Sequence, residues 1–166
     1  PSWRSRSRSN SVADLRFVPA QPEHVEQVAA GLRADDLAEL QAAQGADVDV
    51  RKALRRSVAA SLGALAAVSD GQAVALLGVA PVSLLGDAAC PWLLGTDGVL
   101  RHRRAFMAAG RVSVAEWGQR WPVLFNFVDA RNVRSIGWLQ RLGFTIAPAQ
   151  PFGVQGLPFH RFERCT

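Results

Sequence analysis

Hydrophobic and polar positions change period several times along the chain, and each change marks an element. Leu15 and Phe17 alternate with Arg16 in a first strand over residues 15–20. Pro22 at a first helical turn then leads an apolar stripe of Val25, Val28 or Ala29, and Leu32. Asp35-Asp36 opens a second helix that runs to a Gly45 stop, and Asp49 caps a third with Val50, Leu54 and Val58 on one side. Apolar runs at 64–68 and 73–79 flank Asp70-Gly71, a turn that predicts a hairpin. Gly78 inside the second run predicts a bulge or a close backbone approach. Residues 90–97 read as a fourth strand ending in a polar turn. A long helix follows, with Phe106, Ala109 or Gly110, Val114, Trp117 and Trp121 at helical spacing.

Residues 122–144, PVLFNFVDARNVRSIGWLQRLGF, hold the strongest local pattern. Pro122 leads and Asp129 ends an apolar run that predicts a strand buried on both faces. Asn126 lies inside it, where a polar side chain is tolerated only with a hydrogen-bond partner. The segment from Asp129 to Asn132 offers N-cap chemistry for a helix with Val133, Ile136, Leu139 and Leu142 inward. Gly143 stops that helix and Phe144 folds back on it. Residues 145–149 and 158–164 form two closing strands around a loop at 150–156. The order of elements predicts an α/β or α+β domain over residues 14–166, with helices on both faces of the sheet.

Composition changes the picture in three ways. A chain of 166 residues, 49% hydrophobic and 20% charged, is long enough for one domain with a full core. Residues 1–13, with Arg4, Arg6 and Arg8 among serines, cannot contribute to that core and read as a flexible basic arm. No apolar run reaches the roughly 20 residues of a membrane span, and there is no signal-peptide core, which points to the cytoplasm. Two cysteines, Cys90 and Cys165, make no disulfide framework, and the histidines lack metal spacing. The net charge of +5 is segregated: seven acids and one base between Glu23 and Asp49, eight arginines and two acids between Arg101 and Arg141. The basic half suits a phosphate-bearing ligand or a nucleic acid.

Asn132, Ser135, Trp138, Leu139, Leu142, Gly143 and Phe144, at their spacing, resemble the acetyl-CoA-binding motif of the GNAT N-acetyltransferase superfamily. The wording of the preceding strand is also similar to the GNAT-like proteins of short-tailed bacteriophages, which include internal virion proteins. The resemblance implies a mixed, mostly antiparallel sheet of six to seven strands with helices on both faces. It implies acetyl-CoA as cosubstrate, no metal, and an amine acceptor. The segment from Asp97 to Ala105 takes the place of the pyrophosphate loop, so Val99, Arg101, Arg103, Arg104 and Ala105 would bind the cofactor, with Asn132, Ser135 and Trp138. Asn126, Asp97 and Ser135 are the catalytic candidates: Asn126 beside the gap between the fourth and fifth strands, Asp97 as a base, Ser135 as an acid. His102 is a further base candidate. Two departures stand out. Arg104 and Phe106 replace the loop's small residues, and Leu139 replaces the tyrosine that would protonate the leaving thiolate. The phage resemblance therefore carries an alternative, a non-catalytic virion protein that binds virion partners, with nucleic-acid contact through the basic arm.

Overall fold

The computed structural model describes residues 15–83 and 85–165, so the basic arm expected over residues 1–13 lies outside the described residues. In chain order the elements are β1 (Arg16–Pro19), α1 (Pro22–Ala30), α2 (Ala34–Gln44), α3 (Val50–Ala60), β2 (Leu65–Ser69) and β3 (Gln72–Pro81). They continue with β4 (Ala88–Gly95), α4 (Gly98–Arg101), α5 (Arg103–Arg120), β5 (Val123–Asp129), α6 (Val133–Arg141), β6 (Thr145–Ile146), β7 (Gln150–Phe152) and β8 (Leu157–Cys165).

Local chemistry accounts for most of the boundaries. Asp70 and Gly71 both take positive φ, 51° and 76°, which is what a two-residue β2–β3 hairpin requires. The Asp49 carboxylate accepts the Lys52 N–H at 3.0 Å and caps α3. The Asn132 carbonyl does the same for Ser135 at 3.2 Å and starts α6, while Gly143 ends that turn at φ 87°.

The sheet runs β1-β2-β3-β4-β5-β8-β6, with β7 on β8, eight strands in place of the expected six to seven. The extra strand is β7, inside the span expected to be a plain loop. Every pairing is antiparallel except β4 with β5. Val25 and Val28 of α1 and Leu54 of α3 pack with Ala66 and Leu76 on one face. Val114 of α5 and Leu139 of α6 pack with Val79, Leu124 and Phe162 on the other. The bulge falls in β2 between Ala67 and Val68, whereas Gly78 provides the close approach. A Cβ at Gly78 would lie 3.0 Å from Ser61 Oγ, which accepts the Trp92 indole N–H at 2.7 Å.

Helix α2 differs from its neighbours. Asp36 and Ala42 are its buried residues, and it meets the sheet through polar side chains. Its Asp36 accepts the Gly95 N–H at the end of β4, and its Glu39 accepts the Asp129 N–H at the end of β5. The helix thereby bridges the mouth of the one parallel pair.

Candidate functional site

The site begins where β4 and β5 separate. Ala88 opposes Val123 and Ala89 opposes Leu124, and the pairing goes no further. Pro91 has no N–H to extend the ladder. Its carbonyl accepts instead from the Asn126 side-chain amide at 3.1 Å, and the Asn126 carbonyl accepts the Phe127 N–H at 2.9 Å. One side chain thus satisfies two backbone groups that a continuing ladder would have paired, and the strands stay apart beyond it. Phe125, Asn126 and Phe127 are accordingly half-buried, which corrects the expectation of a strand buried on both faces.

The gap opens into a cavity of about 270 Å³ bounded by Leu93 and Leu94 of β4, Asn126 and Phe127 of β5, and Asn132 and Trp138. A second cavity, about 580 Å³, lies against the start of α5 and carries Arg103 and Arg104, with Arg134 and Arg141 from α6. Arg33, Leu93, Ser135 and Trp138 line both, so the two form one groove with a waist.

Charge divides along that groove. At the waist Arg33 donates to Asp36 at 2.8 Å, and its side chain is 10% exposed. Its Nε–H is buried without a partner among the described residues. Burial pushes the Asp36 carboxyl above its ordinary pKa, opposed by Arg33 and by the Gly95 N–H at 2.8 Å. One turn further along α2, the half-buried Glu39 accepts through Oε2 from Asp129 N–H at 3.2 Å and from the Asn132 amide at 3.3 Å. Burial pushes its pKa up to about 7. Asp129 is shifted the other way: the Arg131 guanidinium, 2.6 Å away, holds its carboxyl below the usual range. Asp129 is buried and fully engaged in the turn, where its Oδ1 also accepts the Arg131 N–H at 2.9 Å.

The residues singled out in the sequence separate cleanly. Asn126, Asn132, Ser135 and Trp138 come together around the inner cavity, and Val99, Arg103 and Arg104 around the outer one. Asp97, Arg101 and Ala105 are exposed and line neither, and His102 lines neither. Asp97 and Arg101 stand at the two ends of the helical turn α4, residues 98–101, and are exposed there, while Ala105 is exposed on α5. That turn packs tightly on β3, since a Cβ at Gly98 would lie 2.7 Å from a Val74 methyl. Glu39 and Arg33 went unnoticed in the sequence. They are members of an acidic, loosely amphipathic stretch, and nothing in its spacing separates them from Glu26 or Asp35. Among the described residues no cluster of His, Cys, Asp and Glu could hold a metal ion. No described helix is long and apolar enough to cross a membrane.

No protein-family model matches the sequence, and no curated protein matches it. Solved structures do resemble it. An N-acetyltransferase from Staphylococcus aureus Mu50 has a TM-score of 0.69 at 13% identity, over 92% of this chain and 99% of that one. A ribosomal L7/L12 alpha-N-protein acetyltransferase, RimL, in complex with coenzyme A, has a TM-score of 0.66 at 13% identity, over 93% and 95%. An acetyltransferase of the GNAT family from Streptococcus pneumoniae has a TM-score of 0.59 at 14% identity, over 92% and 100%. At such identities the likeness speaks for architecture alone. The order of the eight strands, the single parallel pair and the helices on both faces are the GNAT acetyltransferase fold.

Proposed function

We propose that this chain is a GNAT-type N-acyltransferase that moves an acetyl group from acetyl-CoA to an amine. One observation carries the reading: the parting of β4 and β5 opens into a groove whose inner end has a wall of aliphatic and aromatic side chains beside Asn126 and Glu39, and whose outer end is lined by arginines. A long thioester with an apolar reacting end and a phosphate-rich tail matches that polarity. Arg103, Arg104, Arg134 and Arg141 would hold the phosphates, through charge-assisted hydrogen bonds from side chains rather than a glycine-rich backbone loop. Ser135 and Trp138 at the waist would flank the pantetheine arm. The stretch of β4 between Pro91 and Gly95, no longer paired with β5, would run beside its amides. Asn126 sits at the apex of the split and holds it open.

Amine attack on the thioester carbonyl forms the C–N bond, and collapse of the tetrahedral intermediate breaks the C–S bond and releases the thiolate. Positioning and dipoles fixed in a water-poor cavity supply most of the acceleration for such a step. With Leu139 buried in the core at the motif's tyrosine position, the Ser135 hydroxyl is the proton donor that the cavity offers to the thiolate. Acetyl-CoA titration by calorimetry tests the reading. Binding in the micromolar range supports it, and no binding at millimolar concentration ends it.

The second reading is a non-catalytic virion or assembly protein that keeps the fold. Leu139 and the bulky Arg104 and Phe106 favour it, as does the likeness of the β5 wording to bacteriophage proteins. Binding without turnover over a panel of amines would support this second reading.

A further inference from the structure

We infer that Glu39 is the proton acceptor of the site, and that the space beside it receives a primary amine carrying an apolar or aromatic group. The inference rests on the acetyl-transfer reading and assigns its acceptor end. Geometry supports it first. Both hydrogen bonds to Glu39, from Asp129 N–H and the Asn132 amide, go to Oε2. Oε1 has no hydrogen-bond partner among the described residues, and the side chain lines the inner cavity with Asn126. The carboxylate is therefore oriented by two donors, with one oxygen left for a ligand.

Charge supports it next. The groups facing Glu39 are Asp36 and Arg33, paired with each other, and Asp129, paired with Arg131. Among the described residues Glu39 alone of these acids has no countercharge. An arriving ammonium group is the complementary ion, and it would supply the missing pairing. A carboxyl that titrates near neutrality is also suited to taking a proton from an amine and returning it to water. Burial produces that tuning here.

The apolar wall gives the second half. Phe127 and Phe152 stack at 4.2 Å and 15°, and Phe152 meets Phe159 at 5.2 Å. All three line the cavity that holds Glu39. Phe152 is held by the helix that carries Glu39, because the loop after β7 donates Val154 N–H to Ala43 O at 3.2 Å. Gly153 makes that contact feasible: φ is 72°, and a Cβ there would be 2.5 Å from Ala43 Cα. The helix that carries the carboxylate thus also anchors the loop that follows Phe152 of the aromatic wall.

The protons balance as follows. The ammonium gives one proton to the Glu39 carboxylate, and the freed amine attacks the thioester carbonyl. As the intermediate collapses and the C–S bond breaks, the Ser135 hydroxyl gives its proton to the departing sulfur, which leaves as the thiol, and takes the second proton of the nitrogen in its place. Glu39 then returns its proton to water.

The test uses the full chain, acetyl-CoA, phenethylamine, and tetrapeptides beginning with Phe or Ser. For the unsubstituted protein we expect kcat/KM to rise with pH through an inflection near 7, with phenethylamine and the Phe peptide favoured over the Ser peptide. Glu39→Gln should lower kcat/KM about 100-fold at pH 7 and remove that inflection, while acetyl-CoA Kd changes less than about twofold. Glu39→Asp, which keeps the carboxylate, should retain the inflection at reduced kcat. An E39Q variant with the pH profile and rate of the parent overturns the inference and leaves acetyl transfer standing. Binding of acetyl-CoA with no amine of the panel accepted also overturns it. Failure of the parent to bind acetyl-CoA overturns the function and this inference together.

Discussion

The two ends of the groove differ in how they place charge. At the outer end Arg103, Arg104, Arg134 and Arg141 are exposed, come from two helices, and make few contacts with acids. At the inner end the ionic groups are buried or half-buried, and each is tied to a strand terminus or to an opposite charge. Exposed arginines keep their hydration and cost little to the fold, so they can be supplied in excess, as the proposed phosphate-bearing cosubstrate would require. A buried carboxylate is tolerated only where backbone N–H groups and neighbours orient it, which is the condition for directed proton transfer. The outer end is therefore built for attraction and the inner end for geometry.

The comparison is broken most severely at the waist. Arg33→Ala leaves Asp36 buried without its guanidinium, and loss of one partner of a buried pair costs about 3–5 kcal/mol. Urea unfolding should show that loss, with acetyl-CoA binding weakened through both cavities. The next effect belongs to the outer end. Replacing Arg103 and Arg104 together by alanine removes two charge-assisted contacts, each about 1.5 kcal/mol or more. We expect acetyl-CoA Kd to rise roughly 100-fold with the melting temperature almost unchanged, which is the signature of exposed charge.

Glu39→Gln sharpens the contrast through pH. The folded-state pKa of about 7 stands above the ordinary glutamate value of 4.5. The folded chain therefore binds the proton more tightly, and stability falls as pH rises from about 4.5 to about 7. The variant has no such titration, so its stability relative to the parent should be larger at pH 8 than at pH 5. Allowing for partial exposure, the difference should be about 1–2 kcal/mol, with about 3 as the ceiling. Thermal melts at the two pH values measure it. Smallest of all is Asn126→Leu. Two backbone groups lose a partner inside the split, at a cost of about 1 kcal/mol where water can replace it. A stability loss above about 3 kcal/mol would mean that Asn126 supports the whole sheet rather than the gap alone.

Local rules reached the elements and one half of the site. Asp70-Gly71, Asp49, Asn132 and Gly143 each do in the fold what their chemistry predicts, because caps and turns involve residues a few positions apart. Asn126 was legible too, since a polar residue in an apolar strand must be paired by something. That Asp97 stays exposed outside both cavities was not legible, because it depends on residues 98–101 winding into a helical turn. The short β7 escaped notice because Gln150-Pro151-Phe152 has no alternation, and β8 makes it a strand by pairing with it.

By itself, then, the sequence determined an order of strands and helices, a βα unit ending in Leu142-Gly143-Phe144, and a basic C-terminal half. These follow from periodicity, caps and composition, all of which are local or additive. Tertiary structure alone decided which charges matter. Glu39 and Asp36 differ from the other acids only because α2 lies across the mouth of β4 and β5 and brings them to strand ends some 60 to 90 positions distant, as in Asp36 to Gly95 and Glu39 to Asp129. Desolvation then raises both carboxyl pKa values against the hydrogen bonds they accept, and neither effect can be read from a residue's neighbours in the chain.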